Sequence, residues 1–205
     1  MTDSPTYAYL GRWNYSLQKP VPDESWITED QARADYASCT VCLDIVSGDT
    51  YTVHEGTRPS PPWVITTFGG VLSGFRVHHL TTQGSVRLDI QYKHFEGRLF
   101  LSSVTEYTYP NDDRYYRRYE CTNIVDGIMK PDGTGFLTID DKSRPTVERL
   151  SIDQIDVSGN WLDYPAFGDW HVLLDPDFGA RPTSPGPDSE KKPRRRRAWS
   201  PFRRR

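Results

Sequence analysis

No stretch of this 205-residue chain approaches the roughly 18 consecutive apolar residues that a membrane-spanning helix needs. With 36% hydrophobic residues and a mean hydropathy of -0.69, a multi-span membrane protein is excluded. Cysteine is scarce too. Cys39, Cys42 and Cys121 are an odd set of three, which argues against the disulfide framework of a secreted protein. Met1 to Tyr9 offer neither a basic start nor an apolar run of signal-peptide length, so a cytoplasmic protein is expected. A Walker loop, a dinucleotide fingerprint and a Ser/His/Asp motif are also missing. Gly133-Thr134-Gly135 reads as the end of a hairpin turn.

Cys39 and Cys42 share a C-x-x-C spacing, which is reactive where the first cysteine opens a helix. Here Cys39 to Val46 alternates apolar and polar residues like a strand, which sends the two sulfurs to opposite faces. No second cysteine pair or adjacent histidine completes a zinc site. Both cysteines therefore read as small buried hydrophobes.

The formal charge of -3 averages two unlike parts. Ten of the 25 Lys and Arg but only two of the 28 Asp and Glu lie in residues 181–205. That segment carries +8, and the first 180 residues, with 15 bases against 26 acids, carry -11. Two regions are expected: a folded domain over 1–180, and over 181–205 a disordered Pro-rich linker and polybasic tail. The tail bases are Lys191, Lys192, Arg194, Arg195, Arg196, Arg197, Arg203, Arg204 and Arg205, with Trp199 and Phe202 between clusters. Such a segment suits a polyanion, either nucleic acid or an anionic membrane. It could instead serve as an import signal, fold back on the acidic body, or stay solvated.

What the body has in plenty is short alternating segments separated by turn residues, the pattern of an all-β protein. In Ser85 to Lys93, Val86, Leu88, Ile90 and Tyr92 share one face and Arg87, Asp89, Gln91 and Lys93 the other. Strands are expected at Tyr7–Leu17, Cys39–Val46, Tyr51–His54, Trp63–Phe68, Phe75–Thr81, Arg98–Tyr109, from Arg114, at Thr134–Ile139 and at Thr146–Ile152. Their links are too short for crossovers, so neighbours pair antiparallel. The expected fold is an up-and-down meander barrel of about 8–10 strands, since closure removes exposed edges. A sandwich or a wrapped open sheet is the second reading. Helices are expected at Thr28–Ala37, capped by Thr28, and at Pro165–Leu174, with Trp170, Leu173 and Leu174 on one side.

Alternation along the first strand puts Tyr7, Tyr9, Trp13, Tyr15 and Leu17 in one stripe with a gap at Gly11. Gly11-Arg12-Trp13 resembles the G-x-W that opens the first strand of calycins, the superfamily of lipocalins, fatty-acid-binding proteins and avidins. The resemblance implies a barrel whose bottom Trp13 closes and whose lumen holds a small ligand. After Asp113, alternation sets Tyr115, Arg117 and Tyr119 opposite Tyr116, Arg118 and Glu120. Arg with Tyr suits an anionic or polyphenolic ligand.

His78 and His79 are adjacent, so they face opposite sides and cannot ligate one metal. No metal and no cofactor is expected. The function read from these features is binding of a small hydrophobic or aromatic ligand by Trp13, Tyr15, Tyr115, Arg117 and Tyr119. Two alternatives stay open. One is a barrel isomerase, cyclase or lyase, in which His79, or a Tyr/Asp pair, supplies the acid and base. The other is a protein-interaction module tethered by the basic tail.

Overall fold

In the computed structural model, β-branched and aromatic segments bounded by turn residues form strands as the alternation predicts. The structure describes residues 6–21, 26–39, 41–48, 60–69 and 74–180. The expected strand Tyr51–His54 and the tail 181–205 lie outside them. In chain order the elements are β1 (Tyr7–Leu10), β2 (Trp13–Asn14), β3 (Lys19–Pro20), β4 (Trp26–Ile27), α1 (Glu29–Ser38), β5 (Asp44–Ser47), β6 (Trp63–Phe68) and β7 (Gly74–Leu80). They continue with β8 (Val86–Phe95), β9 (Arg98–Thr108), β10 (Asn123–Met129), β11 (Gly135–Asp141), β12 (Glu148–Ile152) and β13 (Trp161–Asp163).

One antiparallel sheet runs β12-β11-β10-β9-β8-β7-β6-β5-β1-β4, and β13 pairs with the end of β9 left free by β10. The turns are set locally. Glu96 and Gly97 between β8 and β9 both have positive φ, 48° and 84°, the signs of a primed two-residue hairpin turn.

The sheet is all-β but not a closed barrel: among the described residues its end strands, β4 and β12, do not pair with each other. Closure is not needed to make a core, because the chain covers both faces of the open sheet with its own excursions. On the first face, Tyr9, Ile45, Ile65, Phe75, Val77, Ile90 and Tyr92 pack against Ala32 and Tyr36 of α1 and against Trp170 and Leu173 near the C-terminus. On the second, Leu10, Val46, Val64, Leu80 and Val86 pack under Trp13, Tyr15 and Tyr107.

Helix α1 forms as expected, with Thr28 Oγ1 accepting from Gln31 N. It lies on the first face rather than over a barrel mouth. The second expected helix shrinks to one 3₁₀ turn, Trp170–Leu173, because Gly168 at φ 94° breaks the segment before it. The aromatic stripe also breaks: β1 ends before Gly11, and the next residues form the β2–β3 hairpin. Tyr9 thus belongs to one core cluster and Trp13 to the other. The C-x-x-C strand starts only at Asp44, since Cys39 closes α1 in the left-handed region at φ 51°. Cys39 and Cys42 are exposed, not buried, whereas Cys121 is buried.

The strand expected from Arg114 does not begin until Asn123. Local hydrogen bonding defeats the alternation there. The Glu120 carboxylate accepts from Arg117 N at 2.7 Å and pairs with Arg114 Nη2 at 2.9 Å, which folds Arg118–Glu120 into a 3₁₀ turn. Tyr116 N donates to Ser85 Oγ at 2.7 Å and the Tyr116 ring stacks on Tyr109, so the loop lies back on the sheet.

Candidate functional site: a buried polar cluster beneath two loops

Register places two rows of side chains across the second face. One runs Asp44, Thr66, Arg76, Gln91, Ser103, and the other Val64, His78, Asp89, Thr105, Asp126. The rows cross the middle of a wide sheet, where an uncovered polar face would simply be hydrated. Here the β2–β3 hairpin and the loop before β10 cover them, and His78 and Asp89 are buried to 4% and 2% exposure. Buried ionisable groups persist when partners answer their charge and hydrogen bonds.

Asp89 holds the centre. Arg76 Nε donates to its Oδ1 at 2.8 Å, and Arg118 Nη1 approaches its Oδ2 at 3.5 Å. His78 Nε2 lies 3.3 Å from Oδ2 and 2.8 Å from Arg118 Nη2. On the ring's other side Nδ1 makes a short hydrogen bond with Tyr15 Oη. Burial by itself would raise the Asp89 carboxyl, but His78 and Arg76 prevail and hold it at about 2. Burial keeps the His78 imidazole below its ordinary value despite Asp89, and it pushes the Tyr15 hydroxyl well above its own. Tyr15 is therefore a hydrogen-bonding phenol, not a base.

The cluster continues to Asp44, whose Oδ2 accepts from Trp13 N at 2.7 Å. Burial raises the Asp44 carboxyl, while hydrogen bonds from Thr66 and Trp13 N oppose the rise. Two open clefts each take in one tyrosine of the second face, and neither is lined by Arg76, His78, Asp89 or Arg118. One, of about 400 Å³, is lined by Arg12 to Ser16 and Val21 and so includes Tyr15. The other, of about 560 Å³, includes Tyr107 with Arg87, Glu106, Tyr109 and Asn111. Tyr107 also lies 5.7 Å beneath the Arg118 guanidinium.

No protein-family model, curated protein or solved structure matches this chain. Trp13 and Tyr15 do meet on the second face. The other three expected ligand residues lie away from the cluster: Tyr119 is 74% exposed, Arg117 is exposed and donates to Tyr119 Oη, and Tyr115 is half-buried beside Ser16. The loop turns their neighbours Tyr116 and Arg118 inward instead. His79 is buried on the first face, opposite Trp63 of β6 and Leu88 of β8, on the far side of the sheet from His78. Among the described residues no three His, Cys, Asp or Glu side chains are gathered as a metal site requires.

Arg76, His78, Asp89 and Arg118 are functional candidates that alternation alone passes over. A signal for them exists. Arg-x-His on one strand and Asp-x-Gln on the next share a face once the Thr82-Gln83-Gly84 turn fixes the hairpin, which brings opposite charges together.

Proposed function

We propose that the protein binds a small anionic aromatic molecule at the Arg76–Arg118 cluster, between Tyr15 and Tyr107. The observation that carries this reading is a charge imbalance. One buried carboxylate, Asp89, answers two guanidinium groups whose side chains remain 33% and 39% exposed. With His78 neutral, the Arg76–Asp89–Arg118 trio carries one positive charge in excess, with Asp44 and Asp126 on other strands of the same face. Guanidinium donors suit carboxylate and phosphate, and tyrosine rings on either side suit an aromatic body.

The test is a thermal-shift and calorimetric screen of aromatic carboxylates and aryl phosphates against the full chain and Arg118→Gln. A ligand present at about a hundred times its Kd should stabilise the wild-type chain by about 2.7 kcal/mol. The variant should lose the response. Absence of any response, or equal binding by the variant, overturns the proposal. His79 is not the acid or base in this reading, and binding unaccompanied by turnover separates it from the enzymatic alternative.

A second reading concerns residues 181–205. Asp153, Asp156, Asp163, Asp169, Asp175 and Asp177 are all exposed, and no Lys or Arg occurs from Leu150 to Ala180. The described chain ends at Ala180, whose N–H and carbonyl both hydrogen-bond to the buried Asn160 side chain. The basic arm therefore follows directly in sequence on a segment whose surface carries six exposed aspartates, of which Asp163 pairs with Arg98. We propose that the arm associates with this surface at low salt and exchanges it for nucleic acid or an anionic membrane. No helix among the described residues is long and apolar enough to cross a membrane, and a cytoplasmic setting is part of the proposal.

A further inference from the structure

The contacts of His78 Nε2 contain a conflict that a single proton resolves. Arg118 Nη2, 2.8 Å away, can only donate, and Asp89 Oδ2, 3.3 Å away, can only accept while ionised. Nε2 cannot serve both partners. The observed geometry is that of the neutral ring with its lone pair on Nε2, because one edge of the Arg118 guanidinium faces two acceptors side by side. Nη2 meets Nε2, and Nη1 reaches Oδ2 at 3.5 Å. The ring proton then sits on Nδ1 and is donated to Tyr15 Oη.

We propose that His78 is a proton-operated latch for the turn Arg118–Glu120: neutral, its Nε2 accepts from Arg118 and holds the turn against the sheet; protonated, it donates to Asp89 and turns Arg118 away. The bond to Tyr15 is the same in both states, so the β2–β3 hairpin stays in place while the turn is released. The titratable and charged groups around the ring favour this outcome. Tyr15 comes from the hairpin, Asp44, Arg76, Asp89, Tyr107 and Asp126 from strands of the sheet, and Arg118 from the loop. A third positive charge there would join two guanidiniums around Asp89, the carboxylate in direct contact with the ring. Arg76 is fixed by its 2.8 Å bond on β7, and Arg118, on an exposed 3₁₀ turn, is the group free to leave. The proposal stands whether or not the cluster binds an anion.

The test follows His78 by side-chain ¹⁵N NMR and the Arg117–Thr122 amides by hydrogen exchange, as protection factors, in the full chain from about pH 7.5 to about pH 5. His78→Asn leaves buried groups unpaired and is prone to misfold, so the informative variant is Arg118→Gln. In the wild-type chain, protonation at Nε2 should coincide with a fall of about tenfold in protection of the turn, while Tyr15 keeps its environment. In Arg118→Gln the turn should already be open and its protection independent of pH. Protection unchanged as Nε2 gains its proton, or an identical pH response in Arg118→Gln, overturns the latch.

Discussion

Asp89 is the one acidic side chain of the cluster whose loss would leave like charges facing each other. Asp89→Asn keeps its shape and one acceptor oxygen but removes the charge that answers the Arg76 and Arg118 guanidiniums and a protonated His78. Breaking a buried pair from one side costs more than the pair contributes, so the expected loss is about 3 kcal/mol, read as a lower urea midpoint. The pH dependence has a defined sign. Because folding lowers the Asp89 carboxyl to about 2, its stabilisation is complete above the ordinary carboxylate range and is lost as pH falls through about 2. The integral, about 2 kcal/mol, is absent from Asp89→Asn. His78 contributes in the same direction: its lowered value favours the neutral folded ring, so stability erodes once pH drops below about 6.5. A stability profile in the variant as steep as the wild-type one below about pH 4 would show that Asp89 is not the group titrating.

At the scale of elements, the β2–β3 hairpin is the piece that converts an exposed sheet face into a core. Trp13 is buried to 3% against Leu10, Val46, Val64, Leu80 and Val86, while its hydrogen bond to Asp44 comes from the backbone. Trp13→Ala therefore keeps this backbone hydrogen bond while removing the buried indole. It should cost about 3–5 kcal/mol and loosen Tyr15 with the hairpin, seen as lost near-ultraviolet dichroism before global unfolding. A loss below about 1 kcal/mol would mean that the hairpin rests on the sheet without holding it. The strands that such pieces cover were largely legible: Trp63–Phe68 appears with the expected bounds, and β7 and β8 follow the alternation closely. Alternation fails where another local interaction is stronger. A bulge at His79/Leu80 sends Val86 to the second cluster instead of joining Leu88 and Ile90. Glu120 folds an alternating Tyr/Arg run into a turn, and Gly11 divides the aromatic stripe between two faces. The site was half visible for a related reason. Period two tells which residues share a face, but Asp89 and His78 look like surface residues until it is known that distant loops cover that face.

For the whole molecule, charge is separated along the chain. The segment that ends the described fold packs on the first face, carries six exposed aspartates, and leads in sequence into the segment of charge +8. The proposed latch and anion site lie on the second face, so an arm held near Ala180 need not obstruct them. Attraction between exposed charges decays over roughly 10 Å at 0.1 M salt, which confines a weakly held arm to nearby aspartates and makes its capture salt-dependent. Amide shifts of Asp153 to Asp177 should therefore differ between the full chain and one truncated after Ala180 in low salt, and converge at about 0.5 M. Adding a polyanion to the full chain at low salt should move those same amides toward their truncated positions, because the competitor removes the arm without altering the fold. If truncation leaves these amides unmoved at every salt concentration, the arm does not dock on the body, and any polyanion it meets is bound independently of the acidic face.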